Sequence, residues 1–442
     1  MKLHILNYAS IAALIVVKCT LGIEPTMAQQ PVVTLQHLWD EAQANSLRIK
    51  TKQGNLKTAE QGIVVAKSNN LPDVDVSLSA GLLSDGVIMD RHFRNAQNVE
   101  NPHFMNNFAI KASQLVYGGG VVKNSIKLSE ILRDMAALSL ETEIQDIKMM
   151  IAGFYLDLCR LYNQDAVLDD NLRLCNVLID NMKVMEKEGT ALSNDILRYE
   201  LQKESILLSK RKVADAMQIV YRQIATATGR EGENDFKPDT TMIAIEPVIS
   251  TLQEYQDNAL HGNTGIKTAA AATQLKESEL KIERSSMLPK VAIVAEEHLD
   301  GPITNEVPVI NSNFNYMFVG VGIQYQLSSS YKNKREVRRA EIERENSETQ
   351  HSLAQEQVSD AIFAAYTDCL TSQSEIATQQ KSVGLANRNY NVILSRYNNG
   401  LATVTDMLDA ANTKLDAELG LVNSKISLLF NNFKLKYISS EL

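Results

Sequence analysis

The stretch TLQHLWDEAQANSLRIK, beginning at Thr34, returns as TLQEYQDNALHGNTGIK beginning at Thr251, an offset of 217 residues. The same offset carries Leu71-Pro72 onto Leu288-Pro289, and a shift of 211 carries Gly189 and Asp195 onto Gly400 and Asp406. Self-similarity on this scale constrains the fold strongly, because whatever one half builds the other builds again. The expected division is a first structural repeat over residues 29–229, an irregular linker over 230–250 and a second repeat over 251–442.

Each half reads in the same order. A helix of about 35 residues is expected to end near each Leu-Pro pair, since proline disfavours helix at the residue before it. Alternation follows, with Val74, Val76, Leu78, Ala80 and Leu82 on one face and Asp75, Ser77, Ser79 and Gly81 on the other. A polar loop from Gly86 to Pro102 leads to a second strand, Phe104 to Tyr117. The corresponding strands of the second half are Val291 to Leu299 and Phe314 to Leu327. An apolar face opposite a small and polar one fits a membrane barrel strand and, equally, a soluble antiparallel sheet with one wet face. Four strands cannot close a barrel with a usable lumen, and open edges are not tolerated in lipid. A membrane reading therefore requires several chains in one barrel.

Heptads come next. Ile147, Phe154, Leu161, Leu168, Cys175 and Met182 recur every seven residues, as do Ile362, Cys369, Ile376, Val383, Tyr390 and Tyr397. Leu408, Leu415, Val422 and Leu429 continue the pattern on a returning helix, and sustained heptads mean coiled-coil packing. From Lys334 to Tyr397 there is no proline over roughly 60 residues, on the order of 90 to 100 Å of helix. Turn signals at Glu188-Gly189 and Asn398-Asn399-Gly400 make each long helix the first arm of an antiparallel hairpin.

Residues 1–28 read as an export signal, with Lys2, an apolar run from Ile11 to Val17, and Thr26-Met27-Ala28 before the expected cleavage point. Lys18 beside Cys19 argues against a lipid anchor at that cysteine. Loss of Lys2, Lys18 and Glu24 with the signal takes the formal net charge from -9 to -10, which argues against nucleic acid as a partner. Cys159, Cys175 and Cys369 sit at apolar helical positions without a CxxC and are expected as buried free thiols. After the signal no segment approaches ~20 consecutive apolar residues, so any crossing of a membrane falls to the strands. Gly118-Gly119-Gly120 lacks a following Gly-Lys-Ser/Thr and is read as a strand-to-helix junction. The histidines, His92, His103 and His298 among them, form no ligand cluster and are expected as solvated loop residues. No catalytic constellation is found, so neither enzyme activity nor a cofactor is expected.

With signal, two halves, paired strands and long hairpins in place, the mature chain resembles the outer membrane efflux protein family of TolC-like outer membrane factors. The most specific piece is YNNGLATVTDMLDAANTKL, Tyr397 to Leu415, which is similar to the family's tip motif; SQLVYGGGVVKNSI, Ser113 to Ile126, is similar to its strand-to-helix junction. The resemblance implies a mixed α and β homotrimer, with four strands per chain in a twelve-stranded outer membrane β-barrel and a coiled-coil α-helical barrel reaching into the periplasm. It implies an exit duct that works passively with a periplasmic adaptor (membrane fusion) protein and an inner membrane efflux transporter, embedded in outer membrane lipid.

By that resemblance Asp406 and Asp409 fall where the family has its aperture carboxylates, and Gly189, Thr190, Gly400 and Leu401 fall at the adaptor-contacting tips. Three copies would set up to six acids around a narrow opening, where mutual repulsion raises some acid pKa values. On the residues alone, both acids also suit the first turn of a helix starting near Thr403. Ala402 stands where the type member has a basic residue, which leaves a closed-state ion pair there without its cation. Two other services stay open: the duct of a type I protein secretion system, and a secreted coiled-coil structural protein with soluble sheets.

Overall fold

The computed structural model describes residues 31–189, 192–230, 236–306 and 308–442. The predicted signal segment and Thr190 lie outside the described residues. In chain order the elements are β1 (Val32–Val33), α1 (Leu35–Asn45), α2 (Leu47–Ser68), β2 (Asp73–Leu82), β3 (Gly86–Ile88), β4 (Gln97–Val99), β5 (Phe104–Tyr117), α3 (Val121–Lys187) and α4 (Ser193–Thr228). There follow β6 (Lys237–Pro238), a 3-10 turn (Thr240–Ala244), α5 (Leu252–Gly262), α6 (Thr264–Ser285), β7 (Lys290–Gly301), β8 (Phe314–Gln324), α7 (Ser329–Asn398) and α8 (Val404–Ile438).

The long helices organise the molecule. α3 runs for 67 residues and α7 for 70, each about 100 Å of rod. No single partner covers either length. α7 packs against α6 in its first part, where Lys276 pairs with Glu343 at 3.1 Å and Arg284 with Glu341 at 2.9 Å. Further along it packs against α8, where Asn431 donates to Ser372 at 3.0 Å and Lys434 meets Asp368 at 3.3 Å. α3 is backed in the same manner by α2 and α4, and contacts α6 and α8 besides. The predicted heptad positions Ile147, Leu161, Leu168, Cys175 and Met182 are buried along α3, and Ile362, Cys369, Ile376 and Tyr390 along α7. All three described cysteines are buried free thiols.

The helix expected to run unbroken to the Leu-Pro pair is in fact two helices. Ser46 leaves helical geometry (φ -55°, ψ 126°) while its N–H still bonds the Ala42 carbonyl, so α1 ends and α2 starts at one residue. Asn263 does the same between α5 and α6, its side chain accepting from the N–H groups of Gly265 and Ile266. Asn263 thus caps α6 with its side chain, whereas Ser46 makes no side-chain cap bond to α2.

The linker is not wholly irregular. Its Lys237–Pro238 forms a short parallel pair with Val32–Val33. The buried Tyr155 hydroxyl locks this pair to α3, donating to the Val33 carbonyl and accepting from the Asp239 N–H, each at 2.7 Å. Tyr221 and Phe236 meet edge to face beside it, with ring centroids 5.1 Å apart.

One antiparallel sheet stands at the end of the molecule opposite the hairpin turns, in the order β2-β5-β7-β8. Strand β8 ends at Gln324 rather than at the expected Leu327. The backbone instead turns, with the Ser329 N–H bonding the Gln326 carbonyl at 2.9 Å, and α7 begins. The glycine junction before α3 is read correctly. Gly119 has φ +66°, and a Cβ there would come within 3.1 Å of the Ser285 backbone, so side-chain-free backbone lets α3 leave the sheet against α6.

Candidate functional site

Register fixes the two faces of the sheet. Val76 pairs with Ile110, which pairs with Glu297, which pairs with Met317; Leu78, Phe108, Leu299 and Asn315 form the next row. This face therefore carries Val74, Val76, Leu78 and Leu82 with Phe104, Phe108 and Ile110 on one side, and Ile293, Val319, Val321 and Ile323 on the other. The edge strands are bare: Leu78 is 76% exposed and Ile323 72% exposed. Each such side chain gains about 1.5–3 kcal/mol on leaving water. A face of this size does not stay wet. Glu297 interrupts it with a charge, a departure from the simple apolar band that the alternation predicts.

The opposite face is polar and internally bonded. Lys111 lies 3.8 Å from Glu296, Glu296 lies 3.0 Å from His298, and Asn107 donates to Asp300. His298 is not the solvated loop residue expected from sequence. It sits in β7, its ring stacked on Tyr316 at 5.0 Å and 7°. Only a cross-strand register could have placed Tyr316 beside it, and single-strand alternation carries no register.

Among the described residues both edges, β2 and β8, lack a partner strand. Unpaired backbone groups cost several kcal/mol each in hydrocarbon. In hydrocarbon such edges would need partner strands.

At the far end the two hairpin turns lie side by side. Gly189 and Gly400 both take left-handed backbone, φ +73° and +71°, with open space where a Cβ would stand. Leu401 is 68% exposed. Asp406 forms a capping box: the Thr403 hydroxyl accepts from the Asp406 N–H, and the Asp406 carboxylate accepts from the Thr403 N–H at 2.8 Å and its hydroxyl at 2.7 Å. These hydrogen bonds, the side-chain one first, hold its carboxyl below the usual carboxylate range. Within one chain the shift is therefore opposite in direction to that expected from ring repulsion. Asp409 is exposed one turn further along α8, beyond the capping box.

Sequence reasoning missed the links between the two tips. Arg198 on α4 donates to the Thr405 hydroxyl at 2.7 Å, Gln202 donates to Asn412 at 3.1 Å, and the Tyr397 hydroxyl reaches the Met182 sulfur at 3.0 Å. Arg198 thus reaches from the neighbouring hairpin to Thr405, three residues beyond Ala402 in sequence. Nothing in the local sequence marks it, because the contact spans more than two hundred residues.

Among the described residues no helix is long and apolar enough to cross a membrane, a statement that says nothing of the strands. Residues 256–436 match the family model described as outer membrane efflux protein. The chain is 17% identical over 401 residues to the outer membrane efflux protein BepC of Brucella suis biovar 1 (strain 1330), covering 89% of this chain and 82% of that protein. Its fold is similar to that of the outer membrane protein VceC of Vibrio cholerae, with a TM-score of 0.74 at 18% identity over 92% of this chain and 95% of that one. It is similar also to the open state of the MtrE outer membrane channel of Neisseria gonorrhoeae, with a TM-score of 0.72 at 14% identity over 92% and 88% of the two chains. The family model lies from α5 into α8, a relative aligns along most of its length and the fold is shared over nearly the whole chain, so this protein is similar to outer membrane efflux proteins in part of its sequence and has the fold of outer membrane channels.

Proposed function

We propose that three copies of this chain form the outer membrane exit duct of a tripartite efflux pump. The sheets join edge to edge into a twelve-stranded barrel, and the helices continue it as a tunnel into the periplasm. The observation that carries this reading is the four-stranded sheet, with an unbacked apolar face and two open edges, mounted on helices about 100 Å long. Residues 29–229 and 251–442 act as two repeats of one unit joined by 230–250, so the trimer presents six similar hairpins.

The duct is passive. Cargo enters from an inner membrane transporter through a periplasmic adaptor, and the adaptor docks at the tips around Gly189, Thr190, Gly400 and Leu401. Small and polar residues facing inward from the sheet, such as Ser77, Ser79 and Gly320, give cargo little to adhere to. Asp409 serves as the aperture acid. Asp406 combines that position with capping of α8, a division of labour supported by its capping box.

The test is reconstitution of the mature protein in planar bilayers after recovery from outer membrane fractions. Heat-modifiable trimers with discrete, cation-blocked conductance are expected. Recovery only as soluble rods would overturn the reading.

A further inference from the structure

Between β2 and β5 the chain builds a separate two-stranded hairpin, β3 with β4, where sequence suggested a plain polar loop. It pairs with itself and packs extensively on no other element. An isolated two-stranded hairpin is marginally stable in water, so one that is formed needs a surface to lean on. Its side chains identify that surface. Val87, Ile88 and Met89 are 52%, 44% and 47% exposed, and Phe93 at the tip is 86% exposed.

The exposure of Phe93 is built into the turn. Its backbone is left-handed at φ +60°, a conformation a large side chain seldom takes unless the surroundings impose it. Asp90 imposes it. Its carboxylate accepts from the N–H groups of His92 at 2.9 Å and Arg94 at 2.8 Å and from the Asn95 side chain at 3.1 Å, while the Phe93 N–H bonds the Asp90 carbonyl at 3.0 Å. The one carboxylate in the tip is thereby engaged by the loop itself. Arg91, His92 and Arg94, its neighbours in sequence, are exposed as well.

We infer that the β3–β4 hairpin is a membrane-docking element that lays Phe93 into the rim of the outer leaflet while Arg91 and Arg94 engage phosphorylated lipid headgroups. The inference rests on the duct reading, which puts this end of the sheet outside the cell because the helices extend into the periplasm. Charge complementarity selects the occupant: two arginines about an exposed aromatic suit an anionic lipid boundary. The mouth of the barrel does not suit the apolar side chains, since the inward face there offers Asn107 bonded to Asp300 and no cover for Val87 or Phe93. Docked hairpins would set the height of the barrel in the bilayer and keep its mouth clear.

The experiment uses the full trimer in vesicles of phosphatidylcholine with or without phosphatidylglycerol. A fluorophore is attached at Phe93→Cys, with a second preparation labelled at Leu78→Cys; the cysteines of the described residues are buried and leave the introduced site to react. Lipids brominated near the headgroup end of the chain serve as quenchers. Quenching at position 93 is expected in anionic vesicles, with docking weakened about fivefold for each of Arg91→Ala and Arg94→Ala. A position-93 label that is reached by aqueous iodide and not by brominated lipid overturns the inference, as does crosslinking from position 93 to a second copy. Position 78 separates the two failures: quenched at 78 but not at 93, the duct stands and the docking falls; unquenched at both, the barrel reading falls with it.

Discussion

Replacing Tyr155 with Phe tests how the N-terminal strand and the inter-repeat linker are held to the long helix α3. Tyr155 is 0% exposed, and its hydroxyl joins three separate segments through the Val33 carbonyl and the Asp239 N–H. Phenylalanine keeps the ring, so the packing of α3 is preserved and the change falls on hydrogen bonding alone. Two bonds are lost, and the buried carbonyl of Val33 and the half-buried N–H of Asp239 lose a partner that water cannot readily replace. A cost of about 2–4 kcal/mol follows. In local opening that is roughly 30- to 900-fold. Hydrogen exchange of the membrane-inserted protein, followed by mass spectrometry, reads it directly in peptides covering 31–45 and 236–245. Exchange there should accelerate by that factor while the α7–α8 peptides stay unchanged. Rates within twofold of the unsubstituted protein would show that the β1–β6 pair is held by something else.

Asp409→Ala should relieve cation block in planar bilayers while leaving the first turn of α8 protected from exchange, whereas Asp406→Ala should also loosen that turn; block unchanged in both variants would return both acids to a purely structural role. Because the hydrogen bonds from Thr403 depress the Asp406 pKa, its cap contribution is present above the ordinary carboxylate pKa and is lost only as pH falls through the depressed value. Protection of residues 404–410 should therefore persist into and below the usual carboxylate range, and its loss already at mildly acidic pH would contradict the capping box. At the alkaline end, burial and then Asp146 push the Tyr437 phenol from 10.0 up to about 12. A raised pKa contributes stability below the unfolded value that is lost as pH rises through the folded one, so the α3–α8 contact should loosen between about pH 10 and 12 and Tyr437→Phe should flatten that response.

The long-range architecture was legible because it is written in local periodicity. Seven-residue spacing from Ile147 to Met182 and from Ile362 to Tyr390 corresponds to the buried seams of α3 and α7, and the alternation from Val74 to Leu82 corresponds to an exposed apolar face on β2. What stayed hidden depends on partners distant in sequence. The Ser46 break follows from α1 packing on α3 and α4, and β1 with β6 are two-residue strands that exist only through each other. His298 was misplaced for the same reason, since its stacking partner is on another strand. At the tip, the residues alone already suited Asp406 to the first turn of a helix near Thr403, where it forms a capping box, but Arg198 as a cross-hairpin donor required the fold.

The most direct measurement of the central claim is a disulfide scan across the two open edges. Cysteines are placed in pairs at Val74, Val76 or Leu78 on β2 and at Val319, Val321 or Ile323 on β8, the two opposite edges of the sheet within one chain. A barrel closed by three copies expects at least one pair to oxidise between chains, giving a covalent trimer on a denaturing gel when both cysteines are present and monomer when either is absent. If every pair remains monomeric in the membrane, with the cysteines reactive to a small thiol reagent, the edges do not meet and the shared barrel is wrong.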